Sequence, residues 1–217
     1  MSMSYSALKM FQTCPRQYDE IRVRKLHPRQ ETEATIWGTQ IHEQAELHVR
    51  DGTEFTIDFP GQDIVRALAA LHGEKHCELE LAVNGLLEPV AFDDPNALIR
   101  GIADLVIIKD LECRVVDYKT GSDKYPDTAQ LELMALLVFA KFPKVQKSHG
   151  ALLFLKTGTM VQKITKREDS TRIWSEWFGK LQQVEQAAEH GVYNPKPSGL
   201  CRQYCPCISC EHNGRRS

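Results

Sequence analysis

Two apolar stretches rich in β-branched residues, Ala97 to Lys109 and Glu112 to Lys119, are separated only by a short turn at Lys109-Asp110. A break that short makes the two strands hairpin neighbours, and it limits the folds open to the rest of the chain. Glu78 to Val83 has the same texture and predicts another strand. Thr128 to Phe142 then returns to helical spacing. Gly150 to Lys156 and Met160 to Thr165 flank Thr157-Gly158-Thr159 as a second hairpin, and Ser170 to His190 is a long amphipathic helix. A strand pair followed by a crossover helix and another strand must cover a sheet face, so the order implies an α/β sandwich with a mixed sheet.

The upstream segments are helical. Tyr5 to Val23 has apolar residues at helix-like spacing, with Ser6 as its cap and Pro15 dividing it. Glu33 to Arg50, ended by Asp51-Gly52, and Gln62 to His76 complete a helical preface. Asn194 to Gly199 reads as an extended linker to a cysteine-rich tail. The expected division is a domain over residues 1–193 and a tail over 194–217 that packs on the first helix. A chain of 217 residues with 42% hydrophobic content can bury one ordinary core.

The longest apolar run, Leu131 to Ala140, is interrupted by Glu132 and is far shorter than the roughly 20 residues needed to span a bilayer. The N-terminus lacks the basic-then-apolar pattern of a secretion signal, so a soluble cytoplasmic protein with no membrane partner is expected. A formal net charge of −2 argues against a generally basic coat but leaves room for a local strip. Lys and Arg cluster at Arg16 to Arg29 and at Lys163 to Arg167, where a solvated helix face or loop is the simplest reading.

The chemistry concentrates in Arg114-Val115-Val116-Asp117-Tyr118-Lys119. Side chains alternate across a strand, so Asp117 and Lys119 project from one face. Asp104, in Gly101-Ile102-Ala103-Asp104, opens the neighbouring strand and can meet Asp117. Two carboxylates converging near a lysine suit phosphoryl chemistry. Their oxygens hold a hard divalent cation such as magnesium, and the lysine steadies attacking water or the charge developing on phosphorus. A surface salt bridge beside a strand end would use the same residues. No glycine-rich run precedes Lys119-Thr120, which argues against a nucleotide triphosphatase. The helix carrying Gly38-Thr39-Gln40-Ile41-His42 is not that of a zinc protease, because Glu46 stands where a second histidine is required.

The motifs occur in a fixed order: Ser6-x-Leu8-x-x-Phe11-x-x-Cys14-Pro15-x-x-Tyr18, Gly38-x-x-x-His42, Gly101-x-x-Asp104, Asp117-Tyr118-Lys119-Thr120 and Gln130-Leu131. In this order they resemble the RecB-like branch of the PD-(D/E)XK nuclease superfamily. The resemblance implies a restriction-endonuclease-like α/β core, a mixed central β-sheet flanked by helices. It also implies Mg2+ or Mn2+ held by His42, Asp104, Asp117 and the carbonyl of Tyr118, with Asp104, Asp117, Lys119 and Gln130 serving catalysis. The family often has tyrosine four residues after the glutamine, whereas this chain has Met134. Glu80 lies where related nucleases sometimes carry another acidic group, but its strand position equally suits a solvated carboxylate, and it is not assigned as a ligand.

Seven cysteines without a signal peptide fit metal binding better than a disulfide framework. Cys77 and Cys113 stand alone in apolar segments and are expected to be structural thiols. Some members of the resembled branch tie their ends together with a 4Fe–4S cluster on one N-terminal and three C-terminal cysteines. By that resemblance Cys14, Cys201, Cys205 and Cys210 would hold the cluster. Tyr204 occupies the usual place of the middle tail ligand, so Cys205 or Cys207 must substitute. Zinc on Cys205, Cys207, Cys210 and His212 is the competing set.

The implied function is a DNA exonuclease, alone or beside a recombination or replication partner. A CRISPR-adaptation nuclease that trims DNA ends and a non-catalytic DNA-binding subunit are the alternatives. Polarity, strandedness and oligomeric state are not written in the sequence.

Overall fold

The computed structural model describes residues 2–27 and 31–215. Arg29, the end of the first basic run, lies outside them. The chain divides into two compact units, Met3–Gln30 with Glu176–Ser217, and Glu31–Ser175.

The Glu31–Ser175 unit is built on a five-stranded sheet in the order β1-β2-β3-β4-β5. Its strands are β1 (Glu74–Val83), β2 (Ile99–Lys109), β3 (Glu112–Lys119), β4 (Lys147–Phe154) and β5 (Thr159–Lys166). All neighbours are antiparallel except β3 and β4, which run parallel. A parallel pair needs a crossover, which the helix Ala129–Lys141 supplies. The mixed sheet flanked by helices is the expected fold class. Two further helices of this unit, Glu33–Asp51 and Gln62–Ala70, pack on the opposite sheet face: Ile41, Ala45, Val49, Val65 and Leu68 form one buried cluster with Leu105, Ile107, Val116, Tyr118, Ala151 and Leu153. On the crossover face the sheet carries Gly101 and Gly150. A Cβ at Gly101 would lie 3.1 Å from Leu137 and Met134, and one at Gly150 would lie 2.9 Å from Leu131. Glycines there let the helix close on the sheet.

In chain order the helices are α1 (Tyr5–Thr13), α2 (Pro15–Tyr18), α3 (Glu33–Asp51), α4 (Gln62–Ala70), α5 (Ala129–Lys141) and α6 (Ser170–His190), with a π-helical turn at Asp19–Val23. Pro15 divides the first segment as expected, at the first turn of α2 where its missing N–H costs nothing. The cap of α1 is Ser4 and not Ser6, because the Ser4 hydroxyl accepts the Ala7 N–H at 3.3 Å while Ser6 is already helical. The expected helical preface is also corrected. Only α1 and α2 belong with the C-terminal residues, while α3 and α4 pack on the sheet. In the first unit Phe11 packs edge-on against Tyr18 and Tyr5 against Trp177. Trp177, Leu181 and Val184 form the buried stripe of α6.

The helix expected over Gln62 to His76 stops at Ala70. Leu71 is extended, Gly73 has φ +142, and β1 begins at Glu74, opposite Ile108. Only glycine adopts that backbone readily, and a Cβ on it would lie 2.6 Å from the Ile108 carbonyl oxygen. The strand partner therefore overrides local helix propensity for the last six residues of the expected span.

The second basic run is committed internally. The Arg167 guanidinium donates to the carbonyls of Val145 at 2.7 Å, Phe139 at 2.9 Å and Phe142 at 2.8 Å, capping the C-terminus of α5. Lys163 pairs with Glu132 at 3.2 Å, and Lys166 with Glu168 at 3.1 Å. Among the described residues no helix is long and apolar enough to cross a membrane.

Gly73→Ala combines a forbidden φ with a clash, whereas Gly52→Ala at the α3 C-cap meets only the left-handed penalty at φ +71 in open space. Urea unfolding should show a loss of about 1 kcal/mol for Gly52→Ala and about 2–4 kcal/mol for Gly73→Ala. Equal losses would mean that the contact with Ile108 yields freely.

Candidate active site

The site begins where two strands part. Leu105 and Val116 are the last pair in the β2–β3 ladder, and one residue further Asp104 and Asp117 face each other unpaired. β3 continues along β4, with Asp117 beside Leu152 and Lys119 beside Phe154. The N–H of Tyr118, released from the β2 side, donates to Asp104 Oδ2 at 2.5 Å. A carboxylate thus replaces a ladder carbonyl.

Asp117 and Lys119 both point toward α5. The Lys119 ammonium donates to Gln130 Oε1 at 2.9 Å, and the Gln130 amide donates to Asp117 Oδ1. Lys119 Nζ also lies 2.6 Å from Asp117 Oδ2, but off the direction of a hydrogen bond, so this buried oxygen is ion-paired without a directed donor. Burial, and then the Asp104 charge, push the Asp117 carboxyl up to about 6 against the pull of Lys119 and His42.

On α3, Gly38 and His42 lie one turn apart. A Cβ at Gly38 would come 2.7 Å from Thr120 Oγ1, so glycine lets the helix approach the end of β3. His42 packs edge-on against Tyr118 at 5.4 Å, with Nε2 3.2 Å from Asp104 Oδ2 and Nδ1 3.8 Å from Glu78 Oε1. Burial opposes its charge, but Asp104, Glu78 and the Tyr118 backbone outweigh it and hold the imidazolium up to about 9.

Glu78 is the residue that sequence reasoning missed. Cys77 pairs with Leu105 and Leu79 with Ala103, while Glu78, between them and opposite Asp104, is left out of the ladder. Its φ of 49 is left-handed, a strain of about 1–2 kcal/mol for a side-chain-bearing residue. The distortion brings its carboxylate to the histidine: ligand atoms of His42, Glu78 and Asp104 all lie within 4.8 Å of one another. Glu80 remains in the ladder opposite Ile102 and exposed. No sequence signal separates these two glutamates of like spacing, because the difference lies in one backbone angle.

An imidazole nitrogen and the carboxylates of Glu78 and Asp104 converge as an oxygen-rich donor set, with the Tyr118 backbone at His42 and the Asp117 carboxylate close enough to feel the Asp104 charge; Asp117 Oδ2 has no directed donor. Such a set fits a hard divalent cation. His42, Asp104, Asp117, Tyr118, Lys119 and Gln130 are all brought together around the ends of β2 and β3.

In the other unit, Cys14, Cys201, Cys205, Cys207 and Cys210 line one small void with Pro195, Pro197 and His212. All seven cysteines are free thiols, with Cys113 buried and Cys77 partly so. The N–H of Lys196 donates to Cys14 Sγ and that of Ser198 to Cys201 Sγ, each at 3.4 Å. Cys207 is buried and hydrogen-bonded to Glu20, a fully buried carboxylate that also holds Arg16 at 2.6 Å, His27 at 2.9 Å and Ser209 at 3.2 Å. Among the described residues the ligand atoms of Glu20, His27 and Cys207 converge within 4.8 Å; no three of the cysteine sulfurs do. Arg16 and Arg24 pair with Glu20 and Asp19, so the first basic run is partly neutralised within its own unit.

Comparison with known proteins agrees with this architecture. The chain is similar over 94% of its length, and 86% of the other, to the crystal structure of a protein from Eubacterium rectale named as a candidate exonuclease, with 12% identity and a TM-score of 0.50. The crystal structure of SSO0001 aligns over 98% of this chain and 87% of its own, with 14% identity and a TM-score of 0.49. At 12% identity the likeness to the Eubacterium rectale protein is one of fold. Comparison with curated proteins finds no match. The sequence pattern of the PD-(D/E)XK nuclease superfamily, however, matches residues 2–210, nearly the whole chain including the fork, α3 and the cysteine tail, and the protein belongs to that superfamily.

Proposed function

We propose that this protein is a divalent-metal-dependent DNA exonuclease of the RecB-like branch, acting in the cytoplasm in recombination, repair or replication. The observation that carries the reading is the convergence of His42, Glu78, Asp104, Asp117, Lys119 and Gln130 at one end of the β2–β3 pair. His42, Asp104, Asp117 and the Tyr118 carbonyl would hold Mg2+ or Mn2+, with Glu78 as a further acidic ligand. Once bound, the ion supplies Lewis-acid polarisation of the phosphate and a lowered pKa for water. The chain itself supplies the rest. Gln130 bridges Asp117 and Lys119, fixing the ammonium where it can orient attacking water or meet charge developing on a phosphate oxygen. A salt bridge alone would need neither the glutamine bridge nor the strained Glu78.

For the tail we propose a 4Fe–4S cluster on Cys14, Cys201, Cys205 and Cys210 that clips residues 194–217 to the first helix. The reading is supported by the one void that Cys14 lines together with Cys201, Cys205 and Cys210. Cys207, committed to Glu20, is left out of the set.

Asp117→Ala and Lys119→Ala should each reduce degradation of linear DNA in Mg2+ by about 10²-fold or more while circular dichroism stays unchanged. Full activity in both variants rejects the assignment. Glu78→Gln should raise the Mg2+ concentration for half-maximal activity by about 10–100-fold, and Glu80→Gln should leave it unchanged. Equal responses would remove Glu78 from the site. Anaerobically purified protein should contain iron and absorb in the visible, with both lost in Cys205→Ser and kept in Cys207→Ser. Zinc without iron would reject the cluster.

A further inference from the structure

The segment joining β3 to α5 runs from Lys119 to Gln130, so both of its ends lie in the site. It is anchored along its length. Thr120 is packed under Gly38. The Asp123 carboxylate accepts from the hydroxyls of Thr157 at 3.0 Å and Thr159 at 2.9 Å, which ties the segment to the β4–β5 turn. The Lys124 N–H donates to Ser122 Oγ at 3.2 Å, and that of Ala129 to Asp127 Oδ1 at 3.2 Å. From the middle of this braced segment projects Tyr125, 83% exposed. Pro126 behind it favours an extended backbone at Tyr125.

A single exposed aromatic is ordinary. An exposed aromatic on a segment pinned at several points, with both ends in a phosphodiester site, is not explained by folding, since its ring contributes almost no buried area. A cation lies over it. The Lys124 ammonium lies 5.4 Å from the ring centroid, and exposed Lys156 stands on the turn that Asp123 ties down. The two threonine hydroxyls hold Asp123 as a carboxylate on the turn, and Lys124 is the cation placed over the ring. This is the chemistry of a single nucleic-acid strand, whose bases offer a π-face and whose phosphates need local cations.

Resting on the nuclease reading above, we propose that Tyr125 is a substrate-binding residue on which a nucleobase of the strand in the site stacks, with Lys124 meeting an adjoining phosphate. Stacking on a tyrosine face is indifferent to base identity, which suits an enzyme that degrades any sequence. The anchored segment carries the ring at a fixed place relative to Lys119 and Gln130, so the stacked base sets how the strand is presented to the reacting phosphate.

The test uses the full chain in Ca2+, with fluorescein-labelled oligothymidylate and an abasic oligomer of the same length. Tyr125→Ala should bind oligothymidylate about 5- to 150-fold more weakly and bind the abasic oligomer as the unaltered protein does, with thermal unfolding unchanged. Tyr125→Phe and Tyr125→Trp should retain binding. Loss of affinity for both oligomers alike, or for neither, overturns the stacking role. If the unaltered protein neither binds nor cleaves any DNA, the nuclease reading fails first and this inference fails with it.

Discussion

The hydrogen bond from the Tyr118 N–H to the Asp104 carboxylate is the contact on which the site depends. A sheet that stayed fully laddered past Leu105 and Val116 would spend every backbone group at Asp104 and Asp117 on pairing, and would leave no room between the strands. Here the side chain takes the place of the ladder partner, β3 keeps its bonds to β4, and the fork opens without an orphaned N–H. The apolar face behind the fork, from Leu105 and Val116 to Ile41 and Ala45, is what keeps the opening local.

Charge is arranged by the same economy. A chain with a formal net charge of −2 gathers Glu78 and Asp104, with Asp117 beside them, and answers them with His42 and Lys119. Both the Asp117 carboxyl and the His42 imidazolium are displaced upward, the first by burial and then by the Asp104 charge, the second by Asp104 and Glu78 against the effect of burial. Elsewhere the pattern is opposite. Arg16 and Arg24 surround the buried Glu20, and Arg167 is consumed by helix carbonyls, so the basic runs of the sequence are largely architectural.

Much of this is legible in the amino-acid sequence. The alternation in Val115 to Lys119 puts Asp117 and Lys119 on one face, the tight turn after Lys109 makes β2 and β3 neighbours, and α6 spans Ser170–His190 as its apolar spacing requires. What escaped was decided by partners distant in sequence. Residues after Ala70 have a helical pattern but pair with β2 instead. Ser4 and Ser6 are both good caps, and only the placement of the first turn chooses between them. Glu78 and Glu80 differ by a backbone angle that no composition records. The grouping of the terminal segments, with α1, α2 and the tail in one unit and α3 and α4 on the sheet, follows from contacts that periodicity does not encode.

The left-handed turn at Glu78 has an effect beyond supplying a carboxylate. β1 is an edge strand of the sheet; Pro89 and Val90 bridge its outer side at Val83 and Ala82, and along the rest no strand among the described residues pairs with it. A regular edge of that length is a template on which another chain can add a strand. Reversing the backbone at Glu78 divides β1 into 74–77 and 79–83 and turns the peptide groups between them out of line, so an incoming strand loses its register midway. The residue that brings a carboxylate to His42 also makes the sheet edge a poor template for a further strand.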